Sequence, residues 1–235
     1  IMDPSNDKFK DECGVFGVYS NKPLDVASVS YYGLYALQHR GQECAGIAVN
    51  QGGDIEVKKG MGLVADVFNE QALNELQGNI AIGHVRYSTA GDKDVRNAQP
   101  LVAKYKKGDI GLAHNGNLVN AENIREILED SGVIFHSTTD SESILNLIAR
   151  YSSKGIENGI KNTMSLLKGA YALVLTTDNS LIGIRDPHGL RPLCIGKISD
   201  GYVLASESCA LDVVDAEFIR DVEPGEIVII NEDGI

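Results

Sequence analysis

The chain has 235 residues, of which 43% are hydrophobic, and its 33 acidic and 21 basic side chains leave a formal net charge of −12. This size and hydrophobic content suffice for one large folded domain or two small ones, and they exclude general disorder. The acidic balance disfavours nucleic acid and anionic lipid as partners. The sequence shows no signal segment and no run of roughly 18 to 20 apolar residues, so the protein is expected to be cytoplasmic and soluble, with no membrane partner.

Short runs of β-branched and alternating residues dominate the first half of the chain and predict strands. These runs are 13–20, 46–51, 54–60, 80–88 and 110–119. Apolar residues at helical spacing predict a helix over 24–37 and, more weakly, a second helix over 66–76.

Helices are predicted in the middle of the chain. Asn120 is expected to cap one that faces inward through Ile124, Ile127 and Leu128 and ends at Gly132.

A second central helix is expected to begin at Asp140 or Ser141, and a third to span 155–168. After these helices the pattern returns to strands, at 170–177, 180–185, 193–198, 202–208, 217–222 and 226–230. Strands, then helices, then strands again indicate an α+β domain in which two sheets carry helices on their outer faces.

Cysteine and histidine spacing argues against disulfides and metal sites. The cysteines contain no CxxC pair and stand at Cys13, Cys44, Cys194 and Cys209. The histidines show no HxH or HxxxH spacing and stand at His39, His84, His114, His136 and His188. We therefore expect free thiols and no metal bound by this chain.

Five segments place polar or charged side chains among glycines beside apolar strand residues. They are CGVFG (13–17), LQHRGQECAGI (37–47), IGHVRYST (82–89), LAHNGNL (112–118) and TTDSE (138–142). Together they resemble the glutaminase domain of the glutamine phosphoribosylpyrophosphate amidotransferase family, and the resemblance extends to about residue 230. Three later blocks support it, RDPHGLRPL (185–193), ASESCALD (205–212) and RDVEPGE (220–226).

The resemblance implies a fold and a nucleophile. The family belongs to the N-terminal nucleophile hydrolases, whose four-layer αββα sandwich agrees with the two-sheet prediction. Cys13 is then the nucleophile, with its own α-amine as base after removal of a leader, residues 1–12. Residues 13–235 would form the glutaminase domain, and Ile1, which precedes Met2, is interpreted as a cloning remnant.

The resemblance also assigns the other site residues. Asn115 and Gly116 would form the oxyanion hole, although the pair alone favours an ordinary Asn-Gly turn. Arg86 would bind the α-carboxylate of glutamine and Asp140 its α-ammonium group, although Asp140 could equally cap a helix. Thr89 is carried over as a lesser glutamine contact, and Arg40 and Gln42 as residues that organise the site.

Three other interpretations stay open. A conventional cysteine and histidine pair could use His84 or His114 as its base, although both are expected to be packed neighbours instead. The chain could be the glutaminase domain of a related enzyme such as glucosamine-6-phosphate synthase. It could also be a glutamine sensor without turnover.

The expected partners follow from the resemblance. Glutamine is the substrate, and ammonia would pass to a phosphoribosyltransferase domain whose motif this chain lacks. No cofactor is expected in this chain, whereas full-length family members use Mg²⁺ with the sugar pyrophosphate and some carry an iron–sulfur cluster. The full-length protein is expected to form a homo-oligomer.

Overall fold

The computed structural model describes residues 13–87 and 94–235, so the predicted leader, residues 1–12, lies outside the described residues. One antiparallel sheet has seven strands in the order β11-β9-β10-β1-β4-β2-β3. In chain order these strands are β1 (Gly14–Ser20), β2 (Cys44–Gln51), β3 (Asp54–Met61), β4 (Ile80–Arg86), β9 (Cys194–Ile198), β10 (Gly201–Ala205) and β11 (Glu217–Asp221).

The second antiparallel sheet has five strands in the order β12-β8-β7-β6-β5. They are β5 (Leu101–Tyr105), β6 (Gly108–Leu118), β7 (Gly169–Thr176), β8 (Leu181–Arg185) and β12 (Ile227–Ile230). Every pairing within both sheets is antiparallel. Short turns join β2 to β3, β5 to β6, β7 to β8 and β9 to β10.

The helices fall into two groups. One group packs on the seven-stranded sheet and consists of α1 (Val26–Ala36), α2 (Val64–Val67), α3 (Glu70–Asn74) and α7 (Ser208–Val213). The other packs on the five-stranded sheet and consists of α4 (Ala121–Asp130), α5 (Asp140–Tyr151) and α6 (Ile156–Leu166). Short 3₁₀ turns lie at Gln38–Arg40, Val95–Asn97 and Ser152–Lys154.

Three apolar clusters define the layers. Alternate residues of each strand face opposite sides, so Phe16 packs against α1 whereas Val15 faces the other sheet. The cluster between the sheets joins Val15 to residues such as Ala113 of β6, and a third cluster packs Leu112 of β6 against α5. The predicted four-layer αββα sandwich is confirmed.

The structure differs from the predictions in several elements. Strand β5 and helix α7 were not expected, and the weak helix over 66–76 is two short helices, α2 and α3. The prediction that Ile127 faces inward is wrong, because its side chain is 63% exposed while Ile124 and Leu128 are buried. Asn120 precedes α4 as predicted, but its side chain accepts from Lys168 N–H and donates to the Leu166 carbonyl instead of capping the helix.

No helix within the described ranges is long and apolar enough to cross a bilayer. No disulfide bond joins any of the four cysteines, all of which lie within the described residues.

Candidate functional site

Cys13 lies directly before β1 and is held through its main chain. Its φ of +63° is a left-handed conformation that side-chain-bearing residues rarely adopt. The Cys13 N–H donates to the Arg40 carbonyl at 3.1 Å, and the Arg40 Nε donates to the Cys13 carbonyl at 2.7 Å. Arg40 therefore contacts both the backbone nitrogen and the carbonyl group of Cys13.

A pocket of about 350 Å³ opens beside Cys13. Its walls come from both sheets and from the start of α5, and its lining residues are Cys13, Arg86, Tyr87, Gln99, His114, Gly116, Asn117, Ala121, Thr138, Thr139, Asp140 and Ser141. The fold thus brings four of the predicted site residues to one cavity, although they are up to 127 positions apart in the chain (140 − 13).

Three predicted site residues, Arg40, Gln42 and Asn115, do not line this pocket in the described structure, and a fourth is not described. Gln42 is exposed and lies outside the lining. Asn115 is fully buried directly behind Gly116. Thr89 falls outside the described residues.

Arg86 is the last residue of β4, in the same sheet as β1, where Gly14 is opposite Val85. Its Nε lies 3.6 Å from Glu43 Oε2, and the Glu43 N–H donates to the Arg86 carbonyl at 2.9 Å. The guanidinium is partly exposed to the pocket, so it could bind a carboxylate ligand while Glu43 restrains its orientation. Sequence reasoning missed Glu43, although it belongs to the quoted segment 37–47.

Asn115 and Gly116 lie inside strand β6, so the alternative of an Asn-Gly turn is excluded. Ala113, two residues before Asn115, packs between the sheets, and strand alternation directs Asn115 to the same side. Both polar atoms of the Asn115 amide are buried without a hydrogen-bond partner among the described residues. Buried amides are normally paired, so the unpaired amide marks Asn115 as a candidate ligand-binding residue, although the pocket as described does not reach it.

Gly116 has a φ of +152°, and a Cβ there would lie 2.1 Å from the Ala170 carbonyl oxygen. Gly116→Ala should therefore destabilise the fold by about 1–3 kcal/mol beyond the cost of a positive φ alone. Gly132→Ala is the matched control, because Gly132 also has a positive φ but has open space around it. Urea unfolding of both variants measures the difference, and equal losses would show that Gly116 is not sterically confined.

Asp140 is the first residue of α5, as predicted, and its carboxylate has protein partners. Oδ2 accepts from the Leu118 N–H at 3.0 Å, and Oδ1 lies 3.5 Å from His114 Nδ1. Burial would raise the pKa of Asp140, but His114 and the backbone N–H groups of Leu118 and Ser141 outweigh it and hold the pKa below its usual value. Asp140 therefore supplies a negative charge to the pocket at neutral pH.

The two candidate histidine bases are engaged in packing. His84 is fully buried with Nε2 3.0 Å from the His114 carbonyl, and burial lowers the pKa of His84 to about 3. The His114 Nδ1 lies 3.0 Å from Ser141 Oγ, and the backbone N–H of His114 donates to Gln99 Oε1 at 2.8 Å. His84 is thus unsuited to proton transfer near neutral pH, and His114 links β6 to α5.

Sequence reasoning also missed Gln99 and Glu142. Gln99 bridges the strands and α5, because its Nε2 donates to Ser141 Oγ at 3.1 Å. Glu142 accepts from the N–H groups of His136 and Ser137 and so orders the segment before α5. The segment TTDSE contained Glu142, whereas no motif marked Gln99. Within residues 13–87 and 94–235, no three His, Cys, Asp or Glu side chains are grouped to hold a metal ion.

Comparison with known proteins identifies relatives over most of the chain. Amidophosphoribosyltransferase of Methanocaldococcus jannaschii is 52% identical over 94% of this chain and 47% of the relative, and that of Bacillus subtilis is 47% identical over 96% and 47%. The chain spans about half the length of these curated relatives.

Solved structures agree with the sequence relatives. The glutamine phosphoribosylpyrophosphate amidotransferase from B. subtilis, complexed with ADP and GMP, matches with a TM-score of 0.88 and 47% identity, over 94% of this chain and 48% of that one. A class-II glutamine aminotransferase domain protein from Silicibacter pomeroyi, 13% identical over 94% of this chain and 96% of that one, shares the fold with a TM-score of 0.63. A family model described as a glutamine amidotransferase domain matches residues 84–213, which is more than half of the sequence. The chain belongs to the glutamine amidotransferase domain family.

Proposed function

We propose that this chain hydrolyses the side-chain amide of glutamine and is the ammonia-producing half of a longer amidophosphoribosyltransferase. The observation that carries the proposal is the single pocket that joins a cysteine to a guanidinium and a carboxylate, Cys13, Arg86 and Asp140. Glutamine has the matching chemistry, since its α-carboxylate suits Arg86, its α-ammonium suits Asp140, and its side chain reaches toward the thiol.

The reaction has two halves. The Cys13 thiol gives its proton to a base and its sulfur attacks the amide carbon, after which the C–N bond breaks and the protonated nitrogen leaves as ammonia. Water then attacks the glutamyl thioester, the C–S bond breaks, and glutamate leaves with the thiol restored. In the tetrahedral intermediate of each half-reaction the former carbonyl oxygen carries a negative charge. The Asn115 amide and the Gly116 N–H would stabilise that charge.

We propose the α-amine of Cys13 as the base, in a chain from which residues 1–12 have been removed. A free α-amine has a reference pKa near 7.7–8.0 and suits proton transfer near neutral pH. The burial and low pKa of His84 argue against it as the base, and the contacts of His114 with Ser141 and Asp140 argue against a pair with Cys13.

The longer protein would use the ammonia to make phosphoribosylamine, the first step of purine biosynthesis. Support comes from relatives at 44–52% identity named amidophosphoribosyltransferase, of which this chain spans about half. We propose a fused phosphoribosyltransferase domain as the partner of this chain.

Ammonia release separates this function from that of a glutamine sensor. The chain with Cys13 at its N-terminus should release ammonia from glutamine, and with phosphoribosylpyrophosphate present it should still make no phosphoribosylamine. Glutamine binding without ammonia would instead indicate a sensor. Phosphoribosylamine formed by this chain alone would contradict the assignment of a glutaminase half.

Arg86→Lys tests the binding of the substrate carboxylate. Lysine keeps the charge but loses the planar fork, so we expect KM for glutamine to rise by roughly 10- to 100-fold, with a smaller change in kcat, if one charge-assisted bond is lost. Arg150→Lys is the control, since Arg150 lies at the exposed end of α5. Steady-state kinetics measure both variants, and an unchanged KM in Arg86→Lys would remove Arg86 from the binding site.

A further inference from the structure

The segment ASESC (205–209) runs from the end of β10 into α7 and contacts the start of β1, although the proposed reaction assigns it no role. Ser206 Oγ accepts from the Val15 N–H at 2.9 Å, and the Ser206 N–H donates to the Val15 carbonyl at 3.0 Å. Ser206 is buried and so is Val15. This pair of bonds holds the main chain two residues after Cys13.

The next residue, Glu207, holds Arg40. Glu207 Oε1 accepts a hydrogen bond from Arg40 Nη1 within an ion pair, and the Arg40 side chain is only 3% exposed. A buried guanidinium needs a counter-charge, since a buried charge without one is strongly unfavourable. Glu207 precedes α7 and also lies 3.1 Å from His39 Nε2, through its other oxygen.

Arg40 in turn binds both peptide groups of Cys13, as described above. The contacts therefore form a continuous path from the Glu207 carboxylate through the Arg40 guanidinium to the Cys13 carbonyl. Glu207 is absent from the described lining of the glutamine pocket, where the groups proposed to hold the substrate lie.

We propose that Glu207 is a positioning residue for the nucleophile, which orients Arg40 and through it the main chain of Cys13, while Ser206 fixes the adjoining Val15. This inference rests on the proposed glutaminase function. Since Glu207 acts on the nucleophile and not on the substrate, its loss should lower kcat and leave glutamine binding intact. A displacement of the nucleophile by about 1 Å can cost on the order of 100-fold in rate.

The test compares Glu207→Gln with Arg40→Lys and the double variant, all starting at Cys13. We expect each single variant to lower kcat by roughly 10- to 100-fold, with KM for glutamine and inhibition by the product glutamate changed less than about threefold. Because both residues act on one path, the double variant should lose little more than the worse single variant. Glu75→Gln is the matched control, since Glu75 forms an exposed ion pair with Lys58 on the surface.

Hydrogen exchange supplies a readout that needs no turnover. In Glu207→Gln the backbone amides of residues 14–18 should exchange faster than in Glu75→Gln. Glu207→Asp keeps the charge and should show a smaller effect. If Glu207→Gln fails to fold, Glu207→Asp takes its place. An unchanged kcat, a loss confined to KM, or multiplicative losses in the double variant would overturn the inference. If the chain that starts at Cys13 and carries no substitution releases no ammonia, the proposed function has failed, and the exchange rates alone decide whether Glu207 anchors Cys13.

Discussion

Replacing Cys13 by alanine is expected to abolish ammonia release from glutamine while the fold and glutamine binding survive. The contacts that hold residue 13 are made by its N–H and carbonyl groups, which alanine retains. The pocket keeps Arg86 and Asp140, so the distal end of glutamine should still bind. Only the sulfur that is proposed to form the thioester is lost.

Two buried thiols are unsuited to replace Cys13. Burial raises the pKa of Cys44 and of Cys194 to about 12, so neither forms much thiolate near neutral pH. Cys194→Ala serves as a control and should keep full turnover, because Cys194 packs beneath α7 away from the pocket. Calorimetry with glutamine and an ammonia assay measure both variants, and turnover by Cys13→Ala above a mock preparation would exclude Cys13 as the nucleophile.

The second large effect is expected for Asn115→Ala, which removes a donor to the developing oxyanion. In other enzymes, loss of one oxyanion-hole donor lowers kcat by about 100- to 1,000-fold, and we expect the same here with little change in KM. The amide makes no protein hydrogen bond within the described residues, so its removal breaks none there. The substitution removes the free-energy cost of burying an unpaired amide, and this gain offsets the cost of the small cavity that alanine leaves. The free energy of unfolding should therefore change by about 1 kcal/mol or less.

Asn158→Ala on the exposed face of α6 is the matched control for this substitution. Kinetics and urea unfolding should be run on both variants. A change confined to KM would contradict the oxyanion role. A loss of stability above about 3 kcal/mol without a specific loss in kcat would instead assign Asn115 a packing role.

The sequence predicts the layered fold because its periodicity records which face of each element is buried. Strands β1 and β4 alternate between two apolar clusters, and α1 was recognised from the spacing of its apolar residues. Strand β5 was missed since its five residues adjoin the charged turn Lys106–Lys107. The predicted inward orientation of Ile127 was wrong because only a narrow stripe of α4, at Ile124 and Leu128, packs against the core.

The site was predictable in part. The residues that line the pocket lie in polar segments among glycines, which the sequence displays directly. The contacts that hold those residues join distant positions, such as Glu207 with Arg40 or Gln99 with Ser141, and local periodicity carries no information about such pairs. Glu43 stands in a quoted segment, but its proximity to Arg86 arises only when β2 pairs with β4.

The α-amine of Cys13 as catalytic base is the central claim, and one paired measurement tests it. Two preparations of the chain, one starting at Cys13 and one retaining residues 1–12, should be checked by intact mass before and after an ammonia assay with glutamine. Ammonia release is expected from the chain that starts at Cys13, and the chain that keeps its first twelve residues should release none, because its Cys13 nitrogen is an amide without basic character. Full activity from a chain whose mass still includes residues 1–12 would contradict the claim.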